Sequence, residues 1–285
     1  MRNLMNTRCI ALVLCMIIAI FTVSLSHAQE EKVTITGSTT VEPIAAAFAE
    51  YYMAKNKGVN IVVNGGGSSL GAKALIDGTC DIADMSRFMK PGEFKLAVEK
   101  GITPVAHVVA MDGLAVVVNK KNPVSKITIE QLRDIYAGDI KNWKEIGGPD
   151  ASIVKIGRDT SSGTYETIHK LVMEADKEDK KETALDVEVV GSNGAVRQAV
   201  MSTPNAIGYV GLGFIDELKT IPVNGVEANV DTVVTGTYPI ARPLYMWTNG
   251  YPELGSHVHR VVTLHLTEEG QDLVEDQEFV PVTKY

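Results

Sequence analysis

The sequence predicts an α/β protein with mostly parallel sheets arranged in two lobes. Three observations predict it. Strand-like apolar runs alternate with helix-like runs along the chain, the pattern of βα units. Two such series occur, one before and one after the apolar stretch 114–119. Each series carries a turn rich in glycine and hydroxyl residues where a strand passes into a helix. With 285 residues, one large domain or two of moderate size are possible.

The first 28 residues are expected to be a leader rather than part of the fold. Arg2 and Arg8 precede an almost unbroken apolar run over 9–23, and Ser26-His27-Ala28 places small residues at −3 and −1 of a cleavage point before Gln29. The run is short for a membrane anchor. Leu14 before Cys15 lacks the small side chain that lipid attachment wants, so no lipoprotein is expected. The leader carries two of the 27 basic residues and none of the 35 acidic ones, which takes the net charge from −8 to −10. Nucleic acid and anionic membrane surfaces are poor partners for such a chain. Cys80 is then the one remaining thiol, which excludes an internal disulfide and reads as a small buried side chain. An exported, unanchored, disulfide-free chain fits a bacterial periplasm.

In chain order, 32–36 is a strand, and Gly37-Ser38-Thr39-Thr40 turns into a helix over 41–55, with Pro43 tolerated in its first turn. Residues 60–64 form a second strand, and Gly65 to Ser69 opens a short helix over 70–77. A third strand, 80–83, ends in Asp84-Met85-Ser86-Arg87, and 91–100 is helical. Two strands, 105–109 and 114–119, are separated by Asp112-Gly113. Thr128 and Gln131 spell a capping box. The strand 153–156 leads through Gly157-Arg158-Asp159-Thr160-Ser161-Ser162-Gly163-Thr164 into a helix to about Glu174. The charged run 176–182 reads as a solvated helix end or loop. Strands at 187–190, 206–210 and 244–247 and helices at 194–201 and 268–275, the last capped by Thr267, complete the series.

The chemistry concentrates in three turns: Gly37-Ser38-Thr39-Thr40, Gly67-Ser68-Ser69 and Ser161-Ser162-Gly163-Thr164. Each supplies hydroxyls and free backbone N–H groups at the positive end of a helix, a setting that holds an oxyanion without a counter-charge on every oxygen. A single Ser or Thr cap is ordinary; three alike in one chain, with Arg158 four residues before Ser162, point to a shared anion site. Ligands of such sheets lie beyond the carboxyl ends of strands, so facing lobes would gather these turns around one cleft. The histidines lack a recognisable metal spacing, His257-x-His259 being the nearest approach, so neither metal nor cofactor is expected. Gly67-x-Ser69-x-Gly71 also matches a nucleophile elbow, with His257 or His265 as a distal base. Only two strands precede Ser69, and a hydrolase would leave the matching turns at 38–40 and 161–164 unexplained.

Ile35 to Thr40, Gly66 to Gly71, Asp81 to Arg87 and Gly157 to Thr164 occur in an order that resembles the phosphate-binding proteins of the high-affinity phosphate ABC transporter. Ile140 to Trp143 with Gly147-Gly148, and Ala206 to Gly211, look like the same family. The resemblance implies a type II periplasmic binding protein fold: lobe 1 from 29–114 and 237–285, lobe 2 from 115–236, the ligand trapped between them. It implies phosphate held by Ser38, Thr39, Thr40, Ser68, Ser69, Ser86, Arg158, Ser162, Gly163 and Thr164, a monomer, and a membrane permease as partner. Trp143 is expected to pack near the surface of its lobe. Two positions depart from the family's pattern. Thr160 stands where a carboxylate is frequent, and Ser86 where some members carry Asp; such a carboxylate accepts the proton of hydrogen phosphate and repels sulfate. Asp84, Asp159 or Thr160 could take that proton. The alternatives are a receptor for sulfate or another tetrahedral oxyanion, a sensor or scavenger without its own transporter, and the Ser69 hydrolase.

Overall fold

The computed structural model describes residues 31–283, so the expected leader and its cleavage site lie outside the described residues. One curled nine-stranded sheet runs through the molecule in the order β2-β1-β3-β9-β4-β7-β5-β6, with β8 also on β4. The strands are β1 Glu31–Gly37, β2 Val59–Gly65, β3 Ile82–Met85, β4 Pro104–Val118, β5 Val154–Arg158, β6 Glu188–Val190, β7 Ala206–Gly211, β8 Lys219–Ile221 and β9 Ala241–Asn249.

The sheet is mixed rather than mostly parallel. The outer ladders β1–β2, β1–β3, β5–β6 and β5–β7 are parallel, as βα units require. All four ladders that involve β4 or β9 are antiparallel. The cause is the chain path: β4 carries it out of one half of the sheet and β9 brings it back.

β4 is also longer than the sequence suggests. Asp112-Gly113 reads as a break, because Asp-Gly is a strong turn signal. Here it lies inside one 15-residue strand, bulged between Val108 and Ala110. Asp112 is paired with Arg242 in the β4–β9 ladder, and a side chain so engaged cannot serve a turn.

Nine α-helices cover the sheet among the described residues: α1 Glu42–Lys55, α2 Ser68–Ile76, α3 Pro91–Glu99, α4 Ile129–Ala137, α5 Gly163–Ile168, α6 Asn193–Ser202, α7 Val230–Val234, α8 His257–Val262 and α9 Glu268–Asp276. α5 runs on through a π-helical turn, His169–Met173. The Thr128–Gln131 capping box is formed, with bonds of 3.0 and 3.1 Å, and Thr267 accepts from the Gly270 N–H. In the charged run 176–182, Lys181 is tied to Asp134 and Asp139 at 2.7 and 2.8 Å.

Apolar side chains gather on both halves of the sheet. On one half, Ile35, Ile44, Phe48, Ile82, Leu244 and Met246 interlock, and Ala83, Met85, Cys80 and Trp247 fill the other face. On the other half, Leu114, Leu132, Tyr136, Trp143, Ile207 and Ile240 form the largest cluster. Trp143 is fully buried there and donates its indole N–H to the Asn205 carbonyl at 3.0 Å, which corrects the surface position expected for it. Along β4 the packing passes from one half to the other between Ala110 and Leu114, and along β9 between Ala241 and Leu244. Asp112 and Arg242 stand in that crossover.

Candidate anion site

Three of the helix starts singled out in the sequence meet at the junction of the halves. Gly37 ends β1 with φ of +147°, and a Cβ there would stand 2.1 Å from the Asp84 carbonyl, so only glycine fits. That close approach lets the Ser38 N–H donate to the Asp84 carbonyl at 2.8 Å. Ser38 Oγ then accepts from the Thr40 N–H at 3.1 Å and holds the turn ahead of α1. Ser68 opens α2, where its Oγ accepts from the Ser86 N–H at 3.0 Å and lies 3.3 Å from Ser86 Oγ. Ser162 caps α5, accepting from the N–H groups of Thr164 and Tyr165.

The halves touch through these same residues. Gly163 is pressed against the opposite half so closely that a Cβ would lie 2.5 Å from both Ser68 Oγ and Ser86 Oγ. Thr40 Oγ1 and Thr164 Oγ1 are 3.1 Å apart, and the Ser69 N–H donates to the Ser161 carbonyl at 3.0 Å. Arg158 ends β5 and is 3 % exposed. Its Nε donates to the Val190 carbonyl, and its Nη2 donates to the Gly191 carbonyl at 2.8 Å and to Thr39 Oγ1 at 3.3 Å. Its Nη1 is buried without a protein partner. Burial draws the guanidinium below its usual range, but it stays a cation at neutral pH. A buried cation with one free face is costly to leave alone and suits an anion.

The candidate proton acceptors separate. Asp159 folds back on its own turn, where Oδ1 accepts from the Ser161 N–H and hydroxyl, and Thr160 is exposed. Asp159 is thus engaged by its own turn through Oδ1. Asp84 is 1 % exposed with Oδ1 unpartnered; burial, and then the nearby Glu42, push its carboxyl well above the usual carboxylate range. The Ser69 hydroxyl accepts from Arg87 Nη2 at 3.0 Å. Neither proposed base reaches it: His257 bonds Tyr52 and Glu31, and His265 Nδ1 sits on the Val262 carbonyl. The nucleophile-elbow reading of Ser69 fails on that geometry. No group of three or more His, Cys, Asp or Glu placed to hold a metal occurs among the described residues.

The structure adds residues the motif reading missed. Arg242 is buried against Asp112 at 3.0 Å and also donates to Thr40, Thr164 and Thr167. Asn193, at the start of α6, donates to Thr40 Oγ1 at 2.9 Å. Arg87 is clamped by Glu93 and meets Glu166 of the opposite half at 3.0 Å.

The chain matches the model of the PBP superfamily domain over residues 22–258. It is 34% identical to the phosphate-binding protein PstS of Borreliella burgdorferi over 261 residues, covering 89% of this chain and 91% of that one. It is 33% identical to PstS of Bacillus subtilis, covering 89% and 83%. Among solved structures, a Clostridium perfringens protein with bound phosphate superposes with a TM-score of 0.79 at 32% identity, covering 89% of this chain and 100% of that one. An ABC-type phosphate transport receptor from Vibrio cholerae gives 0.69 at 30% identity, covering 87% and 99%. The fold is that of the type II periplasmic binding proteins. The chain belongs to the PBP superfamily and, within it, to the family of the PstS phosphate-binding proteins.

Proposed function

We propose that this protein is an extracytoplasmic receptor that captures inorganic phosphate by closing its lobes and passes it to the membrane permease of an ABC transporter. The observation that carries the reading is Arg158: a buried guanidinium with a free Nη1, set where the hydroxyl-bearing helix starts of both halves converge. Thr39, Ser68 and Ser86 would receive the ion from lobe 1, with Thr40 behind them against Thr164, and Arg158, Ser162, Gly163 and Thr164 would close on it from lobe 2. Lobe 1 is assigned 29–114 and 237–285, lobe 2 115–236. Charge-assisted hydrogen bonds contribute roughly 1.5–3 kcal/mol each. A micromolar site needs only about 8 kcal/mol net. The leader would be removed after Ala28, and the receptor acts as a monomer.

The test is calorimetric titration of the mature, phosphate-stripped protein with phosphate and then sulfate at pH 7. Phosphate binding at micromolar concentration or tighter is expected. Silence toward both anions would overturn the proposal; sulfate binding alone would make it a sulfate receptor.

A further inference from the structure

The hydrogen bonds that converge on Thr40 and Thr164 limit what the Thr164 hydroxyl can offer a ligand. An arginine is always a donor, and a hydroxyl oxygen accepts two bonds and donates one. Asp112 anchors the start of the chain of bonds: its Oδ2 accepts from Arg242 Nε at 3.1 Å and Nη2 at 3.0 Å, and its Oδ1 accepts from the Leu212 N–H at 3.0 Å. The second Nη2 hydrogen of Arg242 is shared between Thr40 Oγ1 at 3.3 Å and Thr164 Oγ1 at 3.0 Å. Asn193 is oriented by the Gly211 N–H, which donates to its Oδ1 at 3.4 Å, so its amide nitrogen faces Thr40 Oγ1 at 2.9 Å.

Asn193 and Arg242 both donate to Thr40 Oγ1, so of the two directions open to the Thr40–Thr164 contact we take the one in which Thr40 gives its proton. Its partner in reach is Thr164 Oγ1 at 3.1 Å. Thr164 Oγ1 in turn accepts from Thr40 and from Arg242, which fills its lone pairs. Its proton has no protein acceptor among the described hydrogen bonds and is left for the cleft.

We infer that Arg242, Asn193 and Thr40 form a directed relay that makes Thr164 an obligate donor to the bound oxyanion, and that this relay sets the preference for the more deprotonated ligand. The inference rests on the phosphate reading of the site. Arg242, Asn193 and Thr40 Oγ1 act here as positioning groups. The relay has a cost in selectivity. A donor-only Thr164 serves sulfate as well as it serves hydrogen phosphate, whereas a Thr164 with a free lone pair could accept the proton that only phosphate carries.

The test compares phosphate and sulfate affinities, from pH 6 to 8.5, in the wild type, Thr40→Val and Thr40→Ser. Thr40→Val keeps the shape and removes the proton that Thr40 gives to Thr164. It is expected to weaken sulfate more than phosphate, raising the phosphate-to-sulfate affinity ratio by about 3-fold or more, and to flatten the fall in phosphate affinity toward pH 6. Thr40→Ser keeps the hydroxyl and is expected to restore the wild-type ratio and slope. Asn193→Leu, which removes one of Thr40's donors without touching the ion pair, should shift the ratio in the same direction and serves if Thr40→Val does not fold. A Thr40→Val protein whose phosphate-to-sulfate ratio and pH slope match the wild type overturns the relay, whatever its absolute affinities, while wild-type phosphate binding keeps the site reading. A wild type that binds neither anion overturns the site reading itself.

Discussion

Replacing Gly163 with alanine should abolish tight binding while leaving the fold intact. Gly163 is the first residue of α5 and has no left-handed backbone, so a Cβ is locally welcome there; alanine is the better helix former by up to about 1 kcal/mol. The conflict lies across the cleft, where that Cβ would stand 2.5 Å from Ser68 Oγ and Ser86 Oγ and 3.1 Å from the Ser86 backbone carbon. Carbon atoms approach comfortably only to about 3.5 Å, so the halves must part by roughly 1 Å or the serines must turn away. Parting takes Arg158 Nη2 and Thr39 Oγ1, now 3.3 Å apart, and the Thr40–Thr164 hydroxyls, now 3.1 Å apart, beyond bonding distance. Turning the serines instead removes Ser68 and Ser86 from the ligand. Either route forfeits about two hydrogen bonds to a charged ligand, or roughly 3–4 kcal/mol, a loss of about 100- to 1,000-fold in affinity. Titration calorimetry reads the affinity, and thermal unfolding without phosphate should give a melting temperature equal to or above the wild type. Wild-type affinity in Gly163→Ala would refute closure onto this contact.

Three further outcomes are expected. Arg158→Ala should weaken phosphate at least ~10-fold, about 1.4 kcal/mol, with little change in melting temperature; unchanged affinity would remove Arg158 from the site. Asp84→Asn should raise the melting temperature at pH 7–8 and leave it nearly unchanged near pH 4. The carboxyl is raised by burial and by Glu42, so the folded form keeps its proton at a pH where the unfolded chain releases it; the wild type is stabilised below the ordinary carboxylate value and loses that stability as pH rises. A lower melting temperature for Asp84→Asn at pH 8 would contradict this. Glu166→Gln breaks the contact with Arg87 at 3.0 Å and Lys90 at 2.9 Å across the halves. Because Glu166 and Lys90 are partly exposed, the effect should be modest, a faster phosphate release by about 2- to 5-fold in stopped-flow measurements, or up to ~1 kcal/mol.

What the sequence disclosed and what it hid follow from the range of the interactions. The turns at 37–40, 67–69 and 161–164 were legible because glycine and hydroxyl residues between a strand and a helix are a local signal. A fourth such turn, Gly191-Ser192-Asn193-Gly194, carried the same signal and supplies Asn193. Asp112 and Arg242 each stand as lone charges in apolar runs, which marks a buried polar group that needs a partner. Their pairing spans 130 positions and depends on the register of β4 against β9, which no local pattern encodes. The same pairing explains why Asp112-Gly113 continues one strand where two separate strands were expected. The fates of Asp159 and Thr160 were equally hidden, because a one-residue step around a turn decides which side chain enters a cleft.

The charge arrangement reconciles an acidic chain with an anion site. Arg242 is compensated by Asp112, and Arg87 by Glu93 and Glu166. Arg158 alone among these guanidiniums bonds only neutral carbonyl and hydroxyl oxygens and keeps an unpartnered Nη1. A dianion entering the cleft therefore meets one uncompensated positive charge and several hydroxyl and N–H dipoles, so much of its charge must be balanced by oriented dipoles. Dipoles fixed in direction hold an anion only where its oxygens coincide with their hydrogens. A site of this kind selects by the placement of donors, and in the proposed site that placement would depend on closure: Thr39 and Arg158, Thr40 and Thr164, and Gly163 with Ser68 and Ser86 come from opposite halves. Asp112 and Arg242 sit where both crossing strands pass between the cores, and Arg242 bonds Thr40 on one side and Thr164 and Thr167 on the other. If the halves part as proposed, the Arg242 bonds to Thr40 and Thr164 would part with them, and the ion pair at the crossover would join closure to recognition.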